Sequence, residues 1–150
     1  MRVAVASEVA NNEFRVAITS AGALDLITDG HEVIVQVGAG RGSTITDKQH
    51  VEAGATIVED ATLVWQATDI RLKTKEPVAP EYRHFREGLV IFRYLRLATE
   101  AARTCALPDT KVTAIGHETV QLPSRELPRL AAMSEFAARL SALVGAKVVL

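Results

Sequence analysis

Short β-prone apolar runs alternate with short segments of helical spacing along the chain, and this alternation constrains the fold more than any other feature. Predicted strands cover 2–6, 31–37, 55–59, 69–75, 89–95 and 111–116. Predicted helices cover 19–30, 46–54, 60–67, 98–107 and 133–145. Because runs such as VIVQV and LVIF are apolar at nearly every position, both faces of their sheet should be covered. The sequence therefore predicts an α/β fold with a mainly parallel sheet flanked by helices.

Length, charge and cysteine content narrow the class of protein. The 150 residues suit one domain that spans 1–150. The formal net charge of −1, from 17 basic and 18 acidic residues, does not suit a general nucleic-acid binder. No apolar run approaches the ~18 residues that cross a bilayer, and MRVAVASEVA lacks the pattern of a signal peptide. We therefore expect a cytoplasmic protein with no membrane or nucleic-acid partner, in which the single Cys105 is a buried thiol.

Three cations fall at or just past the predicted carboxyl ends of strands. Lys75 ends LKTK, and Arg93 and Arg96 interrupt the apolar run IFRYLRLA. Ligands of parallel sheets bind beyond these strand ends, and arginine is suited to holding anions because it stays protonated. The alternatives are a solvated lysine, and arginines paired with the helices that cover the sheet. If the strand breaks after Tyr94, both arginines reach one pocket; otherwise they lie on opposite faces.

Two further segments carry candidate groups. In NNEFRVAITS, Arg15 is suited to a bidentate pair with a carboxylate. The alternative is a surface arginine paired with Glu8 or Glu13. In GHETV, His117 is of a type suited to proton transfer near neutral pH, and Glu118 to orienting it or a substrate amine. The alternative is a structural histidine, and spacing alone leaves both choices open.

The glycine run GAGRGS at 38–43 follows a predicted strand and resembles a dinucleotide-binding loop at first sight. That fingerprint needs G-x-G-x-x-G at the opening of a helix. Here the spacing is G-x-G-x-G, and STIT interrupts the helical pattern. The four histidines, His31, His50, His84 and His117, show no metal-ligand spacing. We therefore expect neither a bound cofactor nor a metal ion.

Several segments together resemble one known family over almost the whole chain. They are NNEFRVAIT, GHEVIVQVGAGRGSTITD, EAGATIV, LKTKEPV, ETVQ and MSEFAARLSALVGA. The chain is similar to the N-terminal region of alanine dehydrogenase, whose wider family includes the alpha subunit of pyridine-nucleotide transhydrogenases. The resemblance implies a flavodoxin-like three-layer α/β substrate domain. In that family a separate Rossmann domain binds NAD, and the active site lies between the two domains.

The resemblance also implies roles for individual residues. Arg15 and Lys75 match the arginine and lysine that hold the substrate carboxylate and oxo group in alanine dehydrogenases. Met133 matches a methionine near the substrate, and Glu118 matches the glutamate of the E-T-V segment. These positions are expected to line a substrate site.

The sequence departs from the family pattern in ways that bear on activity. Arg96 stands at the position of the acid/base histidine, and an arginine cannot transfer the proton that alanine dehydrogenation requires. Arg93 replaces a small or neutral residue, and His117 stands where the family usually has tyrosine. The 150 residues contain no counterpart of the NAD domain. Alanine dehydrogenase activity is therefore not expected from this chain alone.

Three functional hypotheses follow. In the first, the chain is a stand-alone enzyme that acts without redox chemistry on a small anionic amino or oxo acid. Lys75, His117 and Glu118 would be catalytic, and Arg15, Lys75, Arg93, Arg96 and Met133 would bind the substrate. In the second, it is an acid-binding or regulatory module, or half of a split dehydrogenase that pairs with an NAD-binding chain. In the third, it is a remnant of a longer dehydrogenase.

Self-association is the expected partnership. Without a second domain the cleft face would expose apolar surface, which favours association. The β-prone tail AKVVL is a candidate for pairing with a sheet edge. We therefore expect a homodimer or a larger closed oligomer.

Overall fold

The computed structural model describes residues 1–66, 68–95 and 110–149. These residues form two compact units, Met1–Ile115 and Gly116–Leu150. The strands are β1 Arg2–Val5, β2 Glu32–Gln36, β3 Thr56–Val58, β4 Ile70–Leu72, β5 Val90–Arg93 and β6 Thr113–Gly116. The α-helices are α1 Ser20–Thr28, α2 Asp47–Glu52, α3 Ala61–Gln66 and α4 Pro128–Val149. Short 3-10 turns cover Arg41–Ser43, Ala79–His84 and His117–Thr119.

The six strands form one parallel sheet in the order β3-β2-β1-β4-β5-β6. The predicted fold class, a parallel sheet flanked by helices, is confirmed. The chain starts at the centre with β1, proceeds outward to β3, and then returns to the other side of β1 to build β4, β5 and β6. This is the doubly wound order 3-2-1-4-5-6, and it differs from the flavodoxin order 2-1-3-4-5. The order of the strands reverses between β1 and β4, which places a topological switch point there.

The register of the strands assigns side chains to the two faces of the sheet. Ala4 pairs with Ile34 on one side and with Arg71 on the other, so these three side chains share a face. Val5 pairs with Val35 and lies on the opposite face. The small side chain of Ala4 sits beside the long side chain of Arg71, and both are fully buried.

The first two helices begin at threonine N-caps, which are recognisable in the sequence. Thr19 accepts a hydrogen bond from the backbone N–H of Gly22 at the start of α1. After α1, Gly30 adopts φ +83°, a left-handed conformation that glycine adopts without a steric penalty. Thr46 and Gln49 form a reciprocal capping box at the start of α2. The predicted helices at 19–30 and 46–54 are therefore confirmed, with slightly shorter bounds.

The final helix corrects two sequence expectations. It was predicted over 133–145, but α4 spans Pro128–Val149. Proline is tolerated in the first turn because its missing N–H has no partner there in any case. The tail AKVVL was expected to be β-prone, but residues 146–149 continue the helix. Extending an existing helix fixes one residue for one hydrogen bond, and this outweighs the weak β preference of two valines.

Some sequence expectations lie outside the described residues. They are the helix predicted at 98–107, the buried thiol of Cys105 and the position of Arg96. Within the described part of the chain, no helix is both long and apolar enough to cross a membrane.

Candidate functional site

The carboxyl ends of β1, β4 and β5 bring charged residues to one edge of the sheet. Glu8 follows β1, Lys73 and Lys75 follow β4, and Arg93 is the last residue of β5. Because β1 and β4 flank the switch point, their connections leave in opposite directions and open a crevice. Lys75 and Arg93, two of the strand-end cations named from the sequence, lie at this edge, and their role in binding stays a prediction.

Arg15 and Lys75, far apart in sequence, meet at one carboxylate. Arg15 donates from Nε to Glu13 Oε1 over 2.8 Å and from Nη2 to Glu13 Oε2 over 2.7 Å. Lys75 Nζ lies 4.0 Å from the same Oε2. The Glu13 side chain is only 4% exposed, whereas those of Arg15 and Lys75 are 47% and 40% exposed. A buried carboxylate therefore holds two partly exposed cations side by side.

The electrostatics of this group favour its charged form. The hydrogen bond from Arg15 lowers the pKa of Glu13, against the opposing effect of burial. The hydrogen bond to Glu13 likewise raises the pKa of Arg15. The pairing of Arg15 with Glu13, one of the two alternatives from the sequence, is present. That pairing does not exclude a role in binding, since both residues line a cleft of about 170 Å³ beside the glycine loop.

The glycine loop itself does not fit a dinucleotide. The backbone N–H of Gly38 donates to Asp47 Oδ1 over 2.8 Å. This N–H is therefore already bonded to a carboxylate, whereas a dinucleotide-binding loop uses such groups to bind phosphate. The run continues into the 3-10 turn Arg41–Ser43 rather than opening an α-helix. A Cβ at Gly42 would lie 2.7 Å from the Cβ of Phe14. The glycine at that position therefore permits close packing on the segment that carries Arg15.

Lys73 is the centre of a buried charge network that the sequence reading missed. Its Nζ lies 2.8 Å from Glu81 Oε1 and 3.2 Å from Glu8 Oε2. All three side chains are at most 9% exposed. Glu8 also accepts from the backbone N–H of Thr74, and Glu81 from that of Val78. The two carboxylates therefore join the end of β1 to both ends of the segment that carries Lys75.

Arg93, predicted to bind substrate, is fully buried at the end of β5. Its Nη1 donates to the backbone carbonyl of Lys75 over 3.0 Å. The structure therefore brings Arg93 to the backbone of the Lys75 segment.

Arg71 forms a second buried feature that the sequence reading missed. Its guanidinium lies 4.6 Å from the ring centroid of Trp65, and Trp65 stacks on His84 at 5.3 Å. Within the described residues, none of its three guanidinium nitrogens has a hydrogen-bond partner. Burial lowers the pKa of Arg71 to about 10, although the charges of Glu81 and Glu8 act in the opposite direction. The sequence signal for this buried charge was the spacing of Arg71 and Lys73 in RLKTK. Residues two apart in a strand point to the same face of the sheet.

The remaining candidates belong to the second unit. His117 and Glu118 lie in the 3-10 turn that directly follows β6, and Met133 lies on α4. Helix α4 contacts the turn His117–Thr119. Their roles remain predictions. Among residues 1–66, 68–95 and 110–149, no cluster of histidine, cysteine and acidic side chains could hold a metal ion.

Fold and site together define a doubly wound α/β domain with paired cations at the carboxyl edge of its sheet. Comparison with known proteins identifies the family of this domain. The family model described as alanine dehydrogenase/PNT, N-terminal domain, matches residues 4–137. The chain therefore belongs to the alanine dehydrogenase/PNT family and corresponds to its N-terminal domain, as the sequence resemblance indicated.

Individual relatives agree. The alanine dehydrogenase of Mycobacterium tuberculosis (strain CDC 1551 / Oshkosh) is 53% identical over 146 residues, 97% of this chain and 39% of that protein. Alanine dehydrogenase 2 of Staphylococcus aureus (strain USA300) is 48% identical over 147 residues, which cover 98% of this chain and 39% of that protein. The chain thus spans 39% of the length of these relatives.

Solved structures give the same assignment. An L-alanine dehydrogenase structure is similar with a TM-score of 0.92 and 38% identity, covering 98% of this chain and 40% of that chain. A transhydrogenase structure from Sinorhizobium meliloti is similar with a TM-score of 0.73 and 29% identity, covering 79% of this chain and 35% of that chain.

Removing the cation of the buried network should be costly. In Lys73→Met, Glu8 and Glu81 remain buried without their shared counter-ion, and we expect a loss of about 3–5 kcal/mol in the free energy of unfolding. Urea denaturation at neutral pH, followed by the fluorescence of Trp65, measures this loss. Lys48→Met removes a lysine that is 84% exposed on α2 and should change stability by less than about 0.5 kcal/mol. Equal effects of the two substitutions would contradict the assignment.

The stack of His84 on Trp65 predicts a pH-dependent signal. Burial, together with the charge of Arg83, lowers the pKa of His84 from 6.5. The unfolded chain therefore takes up this proton first, and stability from neutral His84 is present above pH 6.5 and lost as pH falls toward the folded pKa. Because Trp65 is the only tryptophan, its fluorescence should be quenched with a midpoint below pH 6.5 as the imidazolium forms.

A variant pair checks the origin of that signal. His84→Gln should abolish the fluorescence transition, whereas His31→Gln should leave it unchanged. A midpoint at or above pH 6.5 in the native protein, or a transition that persists in His84→Gln, would count against the stacked arrangement.

Proposed function

We propose that this domain binds a small anionic oxo or amino acid at Arg15 and Lys75 and acts on it without hydride transfer. The observation that carries the proposal is the convergence of these two cations on the single carboxylate of Glu13, at the carboxyl edge of the sheet. A site that already holds one carboxylate between an arginine and a lysine is suited to a second carboxylate or an oxo group.

The exposure of the two cations supports binding from solution. Arg15 uses its Nε and Nη2 for Glu13, which fixes the plane of the guanidinium. Fixing that plane before the ligand arrives lowers the entropy lost on binding. Lys75 Nζ is held near the same carboxylate, and its side chain is 40% exposed, so a ligand can approach the amine. Arg15 would take the carboxylate, and Lys75 the oxo group.

Lys75 is the residue proposed to do chemistry. A lysine amine can accept or donate a proton, or form an imine with a carbonyl group. Elimination, condensation, isomerisation and decarboxylation of an oxo acid all use one of these steps. His117 and Glu118 are proposed to assist in proton transfer, and Met133 to line the site, on the strength of the family resemblance. Arg96 is likewise proposed to hold an anionic group of the substrate.

A thermal-shift assay with defined acids tests the binding step. Pyruvate, alanine, 2-oxoglutarate, phosphoenolpyruvate and NADH are each added to the full chain. An acid at 100 times its Kd stabilises by about 2.7 kcal/mol, which raises Tm by several degrees. We expect at least one oxo acid to do so, and Lys75→Ala to abolish the shift. Lys111→Ala, an exposed lysine paired only loosely with Glu87 at 3.4 Å, is the matched control.

The same assay separates the competing readings. Stabilisation by an oxo acid with no product detected by NMR would favour a binding module over an enzyme. Stabilisation by NADH, or by none of the acids, would contradict the proposal. Equal loss in Lys75→Ala and Lys111→Ala would place the ligand elsewhere.

We further propose that the chain forms a homodimer or larger closed oligomer. Helix α4 carries exposed apolar side chains, including Phe136 at 59% and Leu143 at 68%, at spacings that favour helix contact. Sedimentation velocity at working concentration should give at least twice the 16.2 kDa of one chain. Phe136→Ser should lower that mass. A monomer in both proteins would contradict the proposal.

A further inference from the structure

The segment that carries Lys75 leaves the sheet and is held by charged side chains. Strand β4 ends at Leu72, and residues 73–78 contain no helix or strand. Among the described residues, backbone bonds run from the N–H of Lys73 to the carbonyl of Phe92 and from the N–H of Glu81 to the carbonyl of Val78, and three side chains also bond to this backbone. Glu8 accepts from the N–H of Thr74, Glu81 accepts from that of Val78, and Arg93 donates to the carbonyl of Lys75.

We propose that Arg93 is a positioning residue for Lys75, and that it acts through the Lys75 backbone rather than as a direct ligand of the acid. This inference deepens the proposed function, on which it rests. Of the three side-chain bonds, the bond from Arg93 is the one made to Lys75 itself. It fixes the carbonyl of the residue whose amine is proposed to meet the oxo group.

The position of Arg93 in the sheet supports this role. Leu72 and Phe92 are partners in the parallel register of β4 and β5, so Arg93 lies beside Lys73, one step further along. Its side chain is long enough to extend past the strand end to Lys75. Arg93 is also 0% exposed, so a ligand reaching the crevice from solvent would meet Lys75 before it.

The energetics favour a fixed arrangement. A charge-assisted hydrogen bond to a backbone carbonyl is about twice as strong as a neutral one. The bond from Arg93 is partly buried, and its loss would leave the carbonyl of Lys75 without this donor, so the segment is expected to shift when Arg93 is replaced. A displacement of about 1 Å in a reacting group can cost 10²-fold in rate. The amine of Lys75 should therefore be sensitive to Arg93.

The first experiment compares two oxo acids by calorimetry. Pyruvate carries one carboxylate and 2-oxoglutarate carries two. In Arg93→Met, we expect the Kd values of both to rise by a similar factor of about ten, because both depend on the position of Lys75. Arg93→Lys, which keeps one donor, should partly restore both. A rise for 2-oxoglutarate alone would overturn the proposal, because it would make Arg93 a ligand for the second carboxylate.

Arg71→Met is the matched control. Arg71 is equally buried on the same face of the neighbouring strand, but no hydrogen bond from its guanidinium to another described residue is present. This variant should leave the Kd values of both acids within about twofold of the native values. An effect on Kd as large as that of Arg93→Met would overturn the proposal, because losing any buried cation on this face would then weaken binding equally.

A second measurement does not depend on a ligand. Limited acetylation with acetic anhydride, read by mass spectrometry, gives the labelling rate of Lys75 relative to exposed Lys48 in the same molecule. We expect this ratio to rise in Arg93→Met, to recover in Arg93→Lys, and to stay unchanged in Arg71→Met. If neither oxo acid binds the native chain, the proposed function fails, and the ratio still decides the role of Arg93. An unchanged ratio in Arg93→Met would overturn the positioning role.

Discussion

The buried contact of Lys73 with Glu8 and Glu81 is the interaction on which the rest of the site depends. It joins the loop after β1 to the segment after β4, just beyond Val5 and Leu72, the last residues that pair in the ladder between these two strands. Charges this deeply buried are tolerated only when they are paired and hydrogen-bonded. Glu8 and Glu81 also accept hydrogen bonds from backbone N–H groups. The three side chains therefore neutralise one another's charges and also fix the path of the backbone.

The candidate site consists of two layers of charge. The inner layer is buried and contains Lys73 and Arg93, whose contacts are with carboxylates and backbone. The outer layer contains Arg15 and Lys75, which share Glu13 and reach solvent. This arrangement is typical of a binding site in which a rigid inner set of contacts determines the geometry of the groups that meet the ligand.

The sequence predicted the elements of the sheet well because each strand carries a local signal: an apolar run bounded by turn residues. It also placed Lys75 at a strand end and Arg15 between the first strand and the first helix, and the family resemblance gave both a role in holding the substrate. It missed the buried network, although the alternate spacing of Arg71 and Lys73 was visible. Charged residues in a strand suggest a solvated face, and only the packing of α3 and the turn Ala79–His84 makes that face an interior. The helical tail was missed because helix extension overrides local β preference.

By itself, the sequence determined the fold class, the family and the strand ends at which the cations lie, because periodicity and residue type act locally. The tertiary structure alone decided which charges meet. Glu13 accepts a hydrogen bond from Arg15, two residues further along the chain. The same carboxylate lies within ion-pair distance of Lys75, which is 62 residues away in sequence. Whether a cation faces solvent, as Lys75 does, or the interior, as Arg93 does, depends on which strands become neighbours. Strand order arises from long-range pairing, and no local pattern encodes it.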